Sequence, residues 1–80
     1  MSPPRKEPNL RSYSGRCGRR LRELREKAGL TVEQLAAKLG VSWRAVYYWE
    51  TGRVTPKWDH YPKLARLFGI RSPRNLLPED

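Results

Sequence analysis

The chain holds one cysteine, Cys17, and one histidine, His60, among its 80 residues. They cannot supply a Cys/His zinc set. Asp59 precedes His60, but sequence neighbours in a loop need not face one another, and nothing pairs them with a nucleophile. No glycine-rich, phosphate-cradling loop is present. On this inventory no catalysis, metal, cofactor or small-molecule substrate is expected. Cys17 reads as a small core filler, because nothing in the sequence marks a partner that would activate its thiol. What the chain has in quantity is positive charge. Seventeen Lys and Arg face eight Asp and Glu, for a formal charge of +9 and a pI of about 10.5. Such a chain is attracted to phosphate backbones and to anionic membranes, and it is also what a solvated basic surface looks like. No apolar run approaches a membrane span or a signal-peptide core. A lone cysteine forms no internal disulfide and fits a reducing compartment. A soluble, cytoplasmic, single-domain protein follows as the expectation.

The side chains able to read a nucleic acid gather at 31–52, TVEQLAAKLGVSWRAVYYWETG. Thr31 and Gln34 have the spacing of a capping box. Val32, Leu35, Ala36 and Leu39 then fall on one helical face, and Gly40 breaks the run. Ser42 caps a second helix, about Trp43 to Thr51, with Ala45, Val46 and Trp49 inward and Gly52 past its end. Two short helices joined by a glycine-containing turn are the helix-turn-helix plan. The second helix presents Trp43, Arg44, Tyr47 and Tyr48 outward. Arg44 is the strongest base-reading candidate, since its planar fork matches O6 and N7 of guanine in the major groove. Aromatic rings could pack on thymine methyls, or a tyrosine hydroxyl could hold a phosphate. The alternative for Trp43, Tyr47 and Tyr48 is core packing or an apolar patch that grips protein. Thr31 with Gln34, and Ser42, stand at helix starts suited to phosphate. Thr51, Arg53 and Lys57 flank the end of the second helix as further backbone contacts.

Other elements must hold this pair. A first helix is expected at roughly Arg16 to Ala28, preceded by Ser14 or Gly15, with Cys17, Leu21, Leu24 and Ala28 inward and Gly29 as its stop. The stretch RVTPKWDH after Gly52 reads as a loop, braced on the core by Trp58 and Tyr61. A fourth helix begins near Tyr61 with Pro62 in its first turn, buries Leu64, Ala65, Leu67 and Phe68, and ends at Gly69. Ser72 and Pro73 open a last short helix carrying Leu76 and Leu77. Residues 1–13, with prolines at 3, 4 and 8, read as a disordered arm whose Arg5, Lys6 and Arg11 could follow a DNA backbone or enter a minor groove. Residues 14–77 form the domain, and 78–80 a fraying tail.

The phrases LRELREKAGLTVEQLAAKLGVS, WRAVYYWETG and YPKLARLFGI resemble the first two helices, the recognition helix and the fourth helix of the lambdoid phage repressors and Cro, and of the wider bacterial regulator family built on that domain. The resemblance spans roughly Gly18 to Ile70. It implies an all-α, compact five-helix domain with a flexible basic N-terminal arm. It also implies sequence-specific binding of double-stranded DNA, and transcriptional regulation, most simply repression. Family members usually act as dimers, which implies a near-palindromic site and a homodimer that forms in solution or only on DNA. Trp43, Arg44 and Tyr48, with Tyr47 beside them, match the family's base-facing positions. Arg25 and Glu50 match its arginine–glutamate pair, which implies a partly buried, bidentate salt bridge between the first and third helices. One position departs: where the family often places a DNA-touching Gln, this chain has Val32. The rival expectations are a protein-interaction or coactivator-like module and a non-specific nucleic-acid binder.

Overall fold

A computed structural model describes residues 12–71. In chain order they form α1 (Tyr13–Lys27), α2 (Val32–Leu39), α3 (Trp43–Glu50), a short 3-10 turn (Trp58–His60) and α4 (Tyr61–Phe68). Among the described residues there is no strand. The expected last helix, with Leu76 and Leu77, and residues 1–11 of the arm expected at 1–13 lie outside the described residues; Ser12 and Tyr13, expected in that arm, instead cap and open α1.

Local chemistry sets each boundary. At α2, Thr31 Oγ1 accepts from the Gln34 amide at 3.0 Å, while Gln34 Oε1 accepts from the Thr31 amide at 2.9 Å, the reciprocal capping box. Gly40 ends the helix at φ +74°, a left-handed conformation that costs glycine little. Ser42 Oγ then accepts from the Ala45 amide at 3.2 Å to start α3. Pro62 sits in the first turn of α4, where no amide hydrogen is needed, and Gly69 closes that helix at φ +69°.

Four expectations are corrected. α1 starts at Tyr13, not Arg16, because Ser12 is the cap: its Oγ accepts from the Gly15 amide at 3.0 Å. Ser14 and Gly15 are helical, so neither precedes the helix. Ala28 is the exposed residue that follows α1, not a core position, since the helix has already ended at Lys27. Trp58 does not brace the core: it is 73% exposed in the 3-10 turn, with its ring 4.8 Å from that of Tyr61, and Tyr61 alone is buried. The 58–60 segment is accordingly a helical turn leading straight into α4, not open loop.

The core is one cluster drawn from all four helices: Leu21 and Leu24, Leu35, Ala36 and Leu39, Val46 and Trp49, Tyr61 and Leu64. Leu67 and Phe68, expected to be buried, pack against it from its edge, as do Leu30, Val41 and Ile70. Leu35, Val46 and Leu64 are fully enclosed.

How α1 meets α3 depends on two missing side chains. A Cβ on Gly18 would stand 2.4 Å from Trp49 O and 2.6 Å from Glu50 O. A Cβ on Gly52 would stand 2.7 Å from Gly15 Cα, and Gly52 itself has φ +78°. The two helices therefore touch backbone to backbone. In an exposed helix interior, Gly→Ala would stabilise by about 1 kcal/mol. At position 18 the added methyl meets carbonyls that cannot swing aside, and overpacking costs about 1–3 kcal/mol or more. Gly18→Ala is thus expected to lower the urea midpoint despite its better helix propensity. A raised midpoint would show that α1 does not lie this close to α3.

Cys17, Leu21, Pro56, Tyr61 and Leu64 line a small cavity of about 20 Å³ under the loop that follows α3. Burial pushes the Cys17 thiol above its ordinary 9.0, against the opposing pulls of a Tyr13 hydrogen bond and the Arg16 charge. Burial, and then the neighbouring Cys17, push the Tyr61 hydroxyl above its ordinary 10.0. A raised folded value favours the protonated, folded form. Its contribution is complete below the unfolded value and is lost as pH rises through the folded one. Denaturant melts are expected to show wild type losing more stability than Cys17→Ala above about pH 9. Equal slopes would contradict the burial of the thiol.

Candidate nucleic-acid interface

α2 and α3 are joined by Gly40, Val41 and Ser42, and the Val41 amide donates back to Ala36 O at 3.0 Å. Ala36 and Leu39 on α2 meet Val46 and Trp49 on α3 in the shared core. With one face of α3 committed inward, its remaining positions face outward at the spacing expected of a helix. Arg44 is exposed, and Trp43 is 38% exposed. Tyr47 and Tyr48 are half-buried, so neither the core nor open solvent claims them fully.

These side chains form a continuous ladder along the helix. The Arg44 guanidinium lies 5.6 Å from the Trp43 ring centre. Trp43 meets Tyr47 edge-on at 6.3 Å, and Tyr47 meets Tyr48 at 6.1 Å. The Arg53 guanidinium lies 5.0 Å from the Tyr48 ring. Each spacing is within the range in which aromatic pairs and cation–ring pairs attract. Two cations therefore bracket three rings, and each arginine is held near a ring while its hydrogen-bonding fork remains at the surface.

Arg25 and Glu50 set the aim of this helix. Arg25 Nε donates to Glu50 Oε2 at 2.6 Å and its Nη2 donates to Oε1 at 3.1 Å, a bidentate pair. Its Nη1 donates to Leu30 O at 2.7 Å, in the turn between α1 and α2. One guanidinium thus ties α1 to both the α1–α2 turn and the last residue of α3. Both residues are 3% exposed, deeper than the partial burial expected. The Leu30 carbonyl was not legible in the sequence, because a backbone acceptor carries no residue-type signal. The glycines that let α1 approach did leave one: Gly15 and Gly18 are three apart inside a helix, a costly choice unless something packs there.

The candidate phosphate contacts divide by what their protons are doing. Thr31 Oγ1 and Ser42 Oγ act as acceptors in their caps, so their hydroxyl hydrogens are not used by those bonds. Gln34 uses only its carbonyl oxygen in the capping box. Thr51 differs. Its hydroxyl donates to Tyr47 O at 2.9 Å, so it would donate to a phosphate only by giving up that bond, while the Thr51 amide at 3.0 Å keeps the same carbonyl paired. Arg53 and Lys57 are exposed beyond that end. On α1, Arg19 pairs with Glu23 at 3.5 Å, an exposed i,i+4 pair of small worth. Among the described residues no group of His, Cys, Asp and Glu could hold a metal ion, and no helix is long and apolar enough to cross a membrane.

This division of α3 predicts unequal stability effects. Trp49→Ala is expected to cost about 3–5 kcal/mol in urea melts. Arg44→Ala and Trp43→Ala should each stay within about 1 kcal/mol, as exposed substitutions do. A large loss at Trp43 would make it a core residue.

Three comparisons agree with this geometry. A family model described as a helix-turn-helix domain matches residues 16–77. An uncharacterized HTH-type transcriptional regulator of Archaeoglobus fulgidus is 40% identical over 52 residues, covering 65% of this chain and 74% of that protein. The crystal structure of the restriction-modification controller protein C.AhdI from Aeromonas hydrophila is similar with a TM-score of 0.69 and 37% identity, over 78% of this chain and 92% of that one. The likeness to repressor-type regulators expected from the sequence therefore holds, and the chain belongs to the helix-turn-helix domain family.

Proposed function

We propose that this protein binds double-stranded DNA sequence-specifically and regulates transcription, most simply as a repressor, with α3 lying in the major groove. The observation that carries this is the outward face of α3, where an exposed arginine stands among rings on a helix whose other face is fully committed to the core. A helix fits the major groove, and the start of a recognition helix meets base edges. Arg44 and Trp43 stand at that start and are the principal base contacts, with Tyr47 and Tyr48 beside them. Arg53 and Lys57, with Thr31, Gln34 and Ser42 at the helix starts, hold phosphates; Thr51 serves first to fasten the end of α3. The relatives' names point the same way, one being a transcriptional regulator and the other a restriction-modification controller.

Several finer features belong to this proposal. The basic arm, through Arg5, Lys6 and Arg11, adds phosphate contacts. Leu76 and Leu77 contribute to a homodimer surface, so that two copies read a near-palindromic site. The protein works in the cytoplasm on the nucleoid, as a binder and not an enzyme. Val32 in place of a polar residue at the start of α2 removes one contact and shifts discrimination further onto α3.

Site selection from a random duplex pool, followed by titration, tests the proposal. Arg44→Ala is expected to cost about 1–3 kcal/mol at the selected site and to relax one base position. Arg53→Ala is expected to weaken all sequences alike and to reduce the salt slope by about one. No consensus from the pool, with steep salt dependence alone, would make the protein a non-specific binder; weak binding at every salt concentration would favour a protein-interaction module.

A further inference from the structure

We infer that Trp43 reads the C5-methyl group of a pyrimidine next to the guanine paired by Arg44, so that the protein selects thymine or 5-methylcytosine at that step. The inference rests on duplex DNA as the ligand of α3 and goes beyond it by assigning the base chemistry that the ring would recognise.

Trp43 is the first residue of α3, the end that enters deepest into a groove. Trp43 is 38% exposed, whereas the core tryptophan of the same helix, Trp49, is 6% exposed. It is not loose. Tyr47 holds it edge-on at 6.3 Å, and the Arg44 guanidinium stacks near it at 5.6 Å. An indole fixed beside a guanidinium fork offers two adjoining kinds of contact. The fork donates in a plane to guanine O6 and N7. The ring offers apolar surface with no acceptor for the exocyclic amines that face the same groove. In the major groove, the pyrimidine feature that suits apolar surface is the C5-methyl group. Thymine carries it, and so does 5-methylcytosine; uracil and cytosine do not. The coupling to Arg44 fixes where the methyl must lie, one base step from the guanine. Tyr47 and Tyr48 extend the apolar surface along the helix but are half-buried and present less of it.

The test uses the full-length protein and the duplex selected from a random pool, read by fluorescence anisotropy. The guanine is located as the base position that Arg44→Ala relaxes. The neighbouring pyrimidine is then made thymine, uracil, cytosine or 5-methylcytosine, with its partner base adjusted. Burying one methyl group contributes about 0.8 kcal/mol, or about fourfold in affinity. Thymine is expected to bind about fourfold tighter than uracil, and 5-methylcytosine about fourfold tighter than cytosine, in each case with base pairing unchanged. Trp43→Ala should abolish both differences while Trp43→Phe retains part of them. Equal binding of thymine and uracil by wild type, with the site still preferred over random duplex, would overturn the methyl reading and leave sequence-specific binding intact. Loss of all preference over random duplex would overturn both. A methyl effect that survives Trp43→Ala would assign the contact to another side chain and so overturn the role of Trp43.

Discussion

Arg25 and Glu50 are opposite charges buried to 3% exposure in a small helical domain. Withdrawing either from water alone would cost several kcal/mol, more than such a fold can spare. The constraint this places on the chain is geometric. α1 and α3 must meet so that both arms of the guanidinium face both carboxylate oxygens, and the third nitrogen must find the Leu30 carbonyl. Replacing such a pair by well-packed apolar residues is often neutral in stability, whereas removing one partner is not. Its contribution therefore lies less in net stability than in excluding packings in which the two charges part. Glu50 is the last residue of α3, so fixing it fixes where that helix points.

The glycines act in the same place for the same reason. Gly18 and Gly52 let the backbones of α1 and α3 close to contact, and at that separation the side chain of Arg25 reaches the end of α3 as a fork. Backbone contact and ion pair are thus two parts of one joint. The α2–turn–α3 hairpin supplies the other side, through Ala36, Leu39, Val46 and Trp49. Held from both sides, α3 leaves Trp43 and Arg44 exposed and Tyr47 and Tyr48 half-buried on its outward face.

Much of this was legible in the residues. Thr31 with Gln34, Gly40, Ser42, Pro62 and Gly69 mark helix ends through local chemistry, which sequence reports directly, and all five boundaries fall where those residues stand. Val46 and Trp49 were legible as buried because helical spacing alone puts them on one face. The start of α1 was not. Gly15 looks like a breaker until a tertiary contact with Gly52 makes the absence of a side chain useful, and Ser12 and Ser14 are equally good caps by type. Trp58 misled for a related reason: a large apolar residue beside the buried Tyr61 reads as core, yet the 3-10 turn carries it outward. The burial of Arg25 and Glu50 could be expected only from resemblance, since an isolated Arg and Glu on two helices read as surface charges. The rungs linking Arg44 and Arg53 to the aromatic rings depend on side-chain conformations that spacing does not specify.

One buried, forked ion pair orients α3. A double-mutant cycle on Arg25 and Glu50, read by urea melts, tests it most directly. The account predicts a coupling energy of about 2–3 kcal/mol between the two sites, at the upper end for contacting residues, with Glu50→Ala alone costing on the order of 3 kcal/mol. It also predicts that Arg25→Lys recovers little, because a point charge cannot replace the fork. A coupling energy indistinguishable from zero would mean that the two charges are solvated neighbours and that α3 takes its direction from apolar packing alone.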